Sequence, residues 1–166
     1  FWFIGKVIEK VTGKSYGDAI KELVFDPLDM KNTYWAYKST TPPGLVKGNV
    51  LDAETNKILP PFAIKPFDAW AIFYSTPADL LKLGNAYNHD ELLDAKTRKA
   101  FFSPEPANTP GQLGAIHDGY VCRWDAYASK DVVFLFVVNV FGQTVIEPTM
   151  VIAKQMRDSF VTGLSQ

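Results

Sequence analysis

A proline-rich segment at Pro104–Gly111 divides the sequence into two parts with different hydrophobic periodicity. Before it, apolar residues recur at spacings of three and four in four segments, which predicts amphipathic helices. After it, three segments rich in Val, Phe, Tyr and Trp predict adjacent antiparallel strands, at Leu113–His117, Tyr120–Ala128 and Val132–Val140. Because helices precede the strands and do not alternate with them, the sequence predicts an α+β fold.

Five helices are predicted from periodicity and from capping residues. They span Phe1–Val11, Ser15–Val24, Pro77–Asn88, Asp94–Phe102 and a C-terminal segment opened by Glu147-Pro148. Thr12-Gly13 closes the first helix with a C-cap glycine, and Thr76 precedes the third as its N-cap. The last helix is expected to cover one face of the sheet with the stripe Val151, Ile152, Gln155, Met156 and Phe160.

The segment Tyr34–Phe73 carries five of the eleven prolines and shows no sustained helical period. Two short strands are predicted within it, at Val46–Leu51 and Lys57–Leu59, around the turn Asp52–Asn56. Aromatic residues near the end of the segment either line a substrate groove or form the core beneath a long loop: Phe62, Phe67, Trp70, Phe73 and Tyr74. The pattern leaves both interpretations open.

At 166 residues the chain is long enough for one domain and too short for two ordinary ones. We therefore predict a single domain over 1–166. Within it, 1–104 forms a helical and loop part, and 112–166 forms sheet strands and a C-terminal helix. The first residue is not Met, and the start Phe1-Trp-Phe-Ile4 lacks the basic n-region of a signal peptide, so we expect the sequence to begin inside a longer gene product.

Composition excludes several functional classes. Lys and Arg total 17 against 18 Asp and Glu, so there is no basic field for a nucleic-acid partner. Cys122 is the only cysteine, which excludes an internal disulfide and a thiolate metal cluster. His89 and His117 are the only histidines, so no multi-histidine metal site is expected, and we predict neither a metal nor a cofactor.

Two isolated features have a structural interpretation that outweighs the functional one. His89-Asp90-Glu91 suggests a metal cluster, but three consecutive residues cannot all face one ion, so a solvated helix end is favoured. Cys122 lies on a predicted strand between Val121 and Trp124, where a lone thiol is more often a core residue than a nucleophile.

Two segments resemble a known family. The run Gly5-Lys-Val-Ile-Glu-Lys-Val-Thr-Gly13-Lys-Ser-Tyr16, continuing to Phe25-Asp-Pro27-Leu-Asp-Met30-Lys-Asn-Thr33, is similar to the beta-lactamase and penicillin-binding protein family of class C type. Tyr74-Ser-Thr76-Pro-Ala-Asp79-Leu-Leu81 is similar to the same family. These segments are structural, and Ser75 or Thr76 is interpreted as a helix cap and not as a nucleophile. The resemblance implies part of a beta-lactamase/transpeptidase-like fold.

In this family the chemistry comes from Ser-x-x-Lys, Tyr-x-Asn and Lys/His-x-Gly motifs. His117-Asp118-Gly119, followed by Tyr120 and Trp124, resembles the third. The resemblance implies catalytic roles for His117, Gly119 and the backbone N–H of Tyr120, the last as an oxyanion donor, and substrate contacts for Asp118 and Trp124. The structural alternative is a histidine that ends a strand before a glycine turn.

The other two motifs are absent from the sequence. No Ser or Thr is followed three residues later by Lys, and no Tyr stands two residues before an Asn. The family carries both motifs upstream of the helix that Phe1–Val11 resembles, so we expect this chain alone to be inactive. Arg123 also departs from the family, which commonly has a glycine at that position. The chain is therefore either a fragment of a complete member or a degenerate one.

The resemblance implies an extracytoplasmic serine hydrolase that acts on beta-lactams, D-Ala-D-Ala-like peptides or small esters through an acyl-serine intermediate. D-alanyl-D-alanine carboxypeptidases and esterases belong to the same family. The expected protein partner is the missing N-terminal part of the same protein, or a second copy of the chain. The alternative function is that of a non-catalytic, degenerate binding or interaction protein with the same fold.

Overall fold

The computed structural model describes residues 2–35, 44–60, 73–101, 111–117, 119–128 and 130–163. Backbone contacts divide the chain into two compact units. Unit 1 contains Phe1–Leu45 and Ile64–Leu83, and unit 2 contains Val46–Ala63 and Gly84–Gln166. The division differs from the predicted boundary near Pro104, because residues 46–63 belong to unit 2 together with the strands of the main sheet. The single domain stays a prediction, and we describe each unit by itself.

Unit 1 begins with helices α1 (Trp2–Thr12) and α2 (Tyr16–Ile20), followed by a π-helical turn at Lys21–Phe25. Gly13 follows α1 at φ +68°, and its amide donates a 2.9 Å hydrogen bond to the Glu9 carbonyl, which confirms the C-cap glycine. The Ser15 hydroxyl accepts from the Asp18 amide and so confirms the predicted N-cap.

The apolar spacing of the second helix predicts a buried stripe that is wrong at Leu23; its members are Tyr16, Ala19, Ile20, Leu23 and Val24. Leu23 is 56% exposed, whereas Ala19 and Phe25 are buried. The Asp26 amide bonds to the Lys21 carbonyl, five residues back, so the chain turns more slowly here than in an α-helix. Phe25 is therefore buried, whereas the spacing of a continuous α-helix predicts Leu23 and Val24 on the buried face.

A two-stranded antiparallel sheet in unit 1 was not predicted. Strand β1 (Tyr34–Trp35) pairs with β4 (Phe73–Tyr74). The Phe73 ring packs edge-on against Phe25 at a centroid distance of 5.0 Å. Helix α3 (Pro77–Asn88) follows and has the predicted bounds, with the Thr76 hydroxyl accepting from the Asp79 amide at 3.2 Å.

The main sheet of unit 2 is antiparallel and three-stranded, as predicted. Its order is β5 (Gly111–His117), β6 (Tyr120–Tyr127) and β7 (Val132–Val138). Strand β6 is central and contributes Val121, Trp124 and Ala126 to the core. The apolar run of β7 is less buried than its composition indicates, because Val137 is 49% exposed.

A second sheet in unit 2 lies beside the first. Strands β2 (Asn49–Leu51) and β3 (Ile58–Leu59) form the predicted antiparallel pair. Strand β8 (Val140–Phe141) adds to β2 in parallel, with Asn49 opposite Val140. This parallel pairing joins residues about ninety positions apart in the chain, so local sequence patterns do not reveal it.

Two helices complete unit 2. Helix α4 (Ala95–Phe101) confirms the shorter amphipathic helix, and α5 (Gln143–Gly163) is the C-terminal helix. Helix α5 begins before the predicted start at Glu147, so Pro148 lies inside it.

The predicted inward stripe of α5 is wrong. Thr149 and Ala153 are buried, whereas Val151, Ile152, Met156 and Phe160 are 47–58% exposed. Arg157 continues the inward row and reaches Asp125 on β6. The row at positions 149, 153 and 157 has the four-residue spacing of one helix face. Small side chains on this face allow close packing, and the helix presents its larger apolar residues outward.

Candidate functional site

The His117-Asp118-Gly119 motif lies at the hairpin between β5 and β6. His117 is the last residue of β5 and stands opposite Tyr120, the first residue of β6. Gly119 has φ +85°, a left-handed backbone conformation that residues other than glycine rarely adopt. A catalytic His-x-Gly motif and a histidine that merely ends a strand before a turn both require glycine here, so this geometry fits either interpretation.

The segment Val46–Asn49 lies directly against this hairpin. The Asn49 amide donates to the Gly119 carbonyl at 3.2 Å and to the Asn139 carbonyl at 2.9 Å. A methyl group on Gly119 would overlap the Asn49 amide nitrogen and lie 2.6 Å from the Gly48 carbonyl carbon. Glycine is therefore required at this position by backbone conformation and by the close approach of a second strand.

Side chains add to the same contact. The Tyr120 hydroxyl donates to the Val46 carbonyl. The Asn49 side-chain amide donates to the Asn139 carbonyl at 3.0 Å, and the Asn139 side-chain amide donates to the Lys47 carbonyl at 3.3 Å. The hairpin and the strand start at Asn49 are thus joined by backbone and side-chain hydrogen bonds.

The predicted site residues have different places in this arrangement. His117, Gly119 and Tyr120 are brought together at the hairpin. Asp118 lies outside the described residues. The catalytic roles of all three stay predictions.

Trp124 lies further along β6 and is only 4% exposed. Its ring meets Tyr87 of α3 edge-on at a centroid distance of 6.1 Å. A side chain with so little exposed surface is a core residue of unit 2 in this structure. Its predicted contact with substrate stays a prediction that nothing in this geometry favours.

Ser75 and Thr76 are held in a capping network of unit 1. The Thr33 hydroxyl lies 2.8 Å from the Ser75 hydroxyl and donates to the Asp79 carboxylate at 3.0 Å. The Asn32 amide donates to the same carboxylate at 2.8 Å, and Asp79 is 1% exposed. This arrangement supports the interpretation of these hydroxyls as structural groups that fix the start of α3.

The weaker candidates also have structural environments. Burial raises the pKa of the Cys122 thiol, which disfavours the reactive thiolate. His89 pairs with Asp131 at 3.2 Å on the surface of unit 2. In the described part of the chain, no three His, Cys, Asp or Glu residues come together as metal ligands. Phe73 packs in the core of unit 1, whereas Phe62, Phe67 and Trp70 lie outside the described residues.

One feature that the sequence did not predict is a buried ion cluster on β6. Asp125 is fully buried and accepts from Arg123 at 2.8 Å and from Arg157 of α5 at 3.5 Å. The departure from the family at Arg123 thus has a local explanation, because its guanidinium faces a buried carboxylate. Only the alternation of Arg123 and Asp125 on one strand face could have indicated the pair.

The helices of unit 1 and the antiparallel sheet and C-terminal helix of unit 2 are elements of a partial beta-lactamase-like fold. A family model described as Beta-lactamase matches residues 1–135. Because that match covers most of the sequence, the chain belongs to the beta-lactamase family. A search of curated protein sequences gives no match.

Solved structures show the same fold at low sequence identity. FmtA from Staphylococcus aureus is 23% identical with a TM-score of 0.66, and covers 86% of this chain and 43% of its own. A penicillin-binding protein from Bacillus halodurans is 16% identical with a TM-score of 0.68, over 92% and 53%. The D-amino acid amidase from Ochrobactrum anthropi SV3 is 20% identical with a TM-score of 0.67, over 89% and 55%.

The chain therefore spans about half the length of these structures. At these identities the likeness concerns the fold alone. No helix in the described part of the chain is both long and apolar enough to cross a membrane.

Proposed function

We propose that this chain is the C-terminal portion of a serine hydrolase that forms an acyl-serine intermediate. Its substrates would be beta-lactams, D-Ala-D-Ala-like peptides or small esters. The observation that carries the proposal is the hairpin at Gly119, which follows His117 and is packed against the backbone of Asn49. The D-amino acid amidase among the structural neighbours supports a substrate with a D-configured residue.

In the proposed reaction, a serine hydroxyl outside this chain attacks the substrate carbonyl and loses its proton to a nearby base. The carbonyl oxygen gains the negative charge, and two backbone N–H groups stabilise it. The C–N or C–O bond then breaks, the leaving group takes a proton, and water releases the acyl group. The chain contributes His117 and Gly119 beside the substrate, and Tyr120 contributes one N–H.

We further propose that an upstream segment of the same protein supplies the serine, its lysine and the tyrosine motif. In unit 1, helix α1 exposes the apolar side chains Phe3, Ile4, Val7 and Val11, each 58–79% exposed. In unit 2, helix α5 exposes a second apolar stripe. Apolar faces of this kind indicate an interaction partner, and an upstream segment is the partner that the coverage of about half of each neighbour favours.

The extracytoplasmic location also belongs to the proposal. It rests on membership of the beta-lactamase family. A non-catalytic binding protein is the alternative, and the absence of Ser-x-x-Lys and Tyr-x-Asn from these 166 residues favours it for the chain by itself.

Covalent labelling separates these proposals. This chain and the complete gene product that contains it are incubated with a fluorescent penicillin or a fluorophosphonate and then separated on a denaturing gel. We expect a labelled band for the complete product and none for the chain alone. Labelling of the chain would contradict its proposed inactivity, and the absence of label from both would contradict the hydrolase proposal.

A further inference from the structure

The hairpin of the proposed site is held from one side by a segment distant in sequence. We call Val46–Asn49 the turn clamp. It contacts the hairpin through the Asn49 amide, which donates to the Gly119 carbonyl, and through the Val46 carbonyl, which accepts from the Tyr120 hydroxyl. The first contact binds the carbonyl of the peptide that joins Gly119 to Tyr120, and the second binds the end of the Tyr120 side chain.

The turn clamp is itself fixed to the end of β7. The Asn49 amide and side chain both donate to the Asn139 carbonyl, at 2.9 and 3.0 Å. The Asn139 side chain donates in return to the Lys47 carbonyl at 3.3 Å. Reciprocal hydrogen bonds of this kind hold a strand start more firmly than a single contact, since breaking one leaves the others in place.

We propose that Asn49 and the Tyr120 hydroxyl are positioning residues that set the orientation of the Gly119-Tyr120 peptide. That peptide carries the proposed oxyanion donor, so this inference rests on the proposed function. An N–H that stabilises a developing oxyanion must lie about 3 Å from it, and small misplacements are costly. The turn clamp would fix that distance before substrate binds.

Two substitutions weaken the turn clamp without changing the hairpin backbone, and both leave the bond from the Asn49 backbone amide to the Gly119 carbonyl in place. Asn49→Asp replaces the side-chain donor with an acceptor that faces the Asn139 and Lys47 carbonyls, and Tyr120→Phe deletes the hydroxyl. Asn85→Asp makes the same chemical change at an exposed position of α3, and Tyr34→Phe deletes an exposed hydroxyl in unit 1. These serve as matched controls.

In the complete gene product, we expect both clamp variants to lower kcat about ten- to a hundredfold with KM nearly unchanged. The controls should keep wild-type values for both constants. Hydrogen exchange at the amides of Gly119 and Tyr120, measured in this chain, should be faster in the clamp variants while the centre of β6 stays protected. Loss of protection throughout β6 would instead indicate a general structural role and would overturn the inference.

The two proposals can fail separately. A wild-type product without activity contradicts the proposed function, and the exchange rates then decide on the clamp alone. An active product whose clamp variants have wild-type kcat contradicts the positioning role, whatever the exchange rates. Unchanged exchange at Gly119 and Tyr120 also contradicts the clamp.

Discussion

The two units position their distant segments by different means. In unit 1 a buried side chain does so, because the Asp79 carboxylate accepts from the Asn32 amide and the Thr33 hydroxyl. In unit 2 backbone does so, because the hairpin at Gly119 packs directly on the peptide that joins Gly48 to Asn49. A side-chain anchor requires a particular polar residue such as Asp79, whereas a close backbone contact requires only a glycine such as Gly119. The units should therefore respond differently to substitution.

The largest loss of stability is expected at Gly119, where a left-handed backbone conformation and close backbone packing occur together. Gly119→Ala places a methyl group against Asn49 at a residue with φ +85°. Left-handed strain and overpacking together should destabilise unit 2 by about 3 kcal/mol or more. Gly13→Ala is the control, because Gly13 has φ +68° with open space around it and should cost only about 1 kcal/mol. Chemical denaturation measures both, and equal losses would contradict the close packing at Gly119.

Removal of the carboxylate anchor of unit 1 comes next. Asp79→Ala removes a buried carboxylate and leaves the part-buried Asn32 amide and Thr33 hydroxyl without that acceptor, which should cost about 2 to 3 kcal/mol. Asp79→Asn keeps one acceptor oxygen and should recover part of the loss. If Asp79→Ala were neutral in thermal denaturation, unit 1 would not depend on this anchor.

The packing of α5 in unit 2 gives a third test. Ala153→Leu forces a larger side chain into a fully buried position and should cost about 1 to 3 kcal/mol. Ile152→Ala removes a side chain that is 51% exposed and should change stability by about 0.5 kcal/mol or less. A larger loss of stability for Ile152→Ala than for Ala153→Leu would contradict this packing and support the inward face predicted from the sequence.

The smallest effect concerns a local cap in unit 2. Hydrogen bonds from the amide and hydroxyl of Thr97 hold the pKa of Asp94 below its ordinary value of 3.8. The ionised carboxylate therefore favours the folded cap above that value, and this contribution disappears as pH falls through the lowered pKa. Fraying of α4, followed by amide exchange at Thr97, should increase in acid. Asp94→Asn should remove the pH dependence.

The sequence predicted the features that depend on neighbouring residues. The bounds of α3 follow from Thr76 and Pro77, and the α1 cap follows from Gly13. The hairpin was indicated by Gly119 between two strand patterns. These features are local, so periodicity and capping chemistry determine them.

The features that the sequence did not predict depend on distant pairing. The parallel pair of β2 and β8 brings Asn49 to Val140, and no local pattern encodes that contact. The buried face of α5 was misassigned because its larger apolar residues suggested an inward stripe, whereas Ala153 allows the close packing. The sequence did not predict the turn clamp because Asn49 and Gly119 are distant in sequence, and only the fold places them side by side.

We propose that this chain contributes the hairpin of a site whose nucleophile lies elsewhere in the protein. Peptide mass mapping of the complete gene product after penicillin treatment tests it most directly. We expect an acyl adduct on a serine outside these 166 residues, formed more slowly in the Gly119→Ala protein. An adduct on a serine or threonine of this chain, such as Ser75, would contradict it.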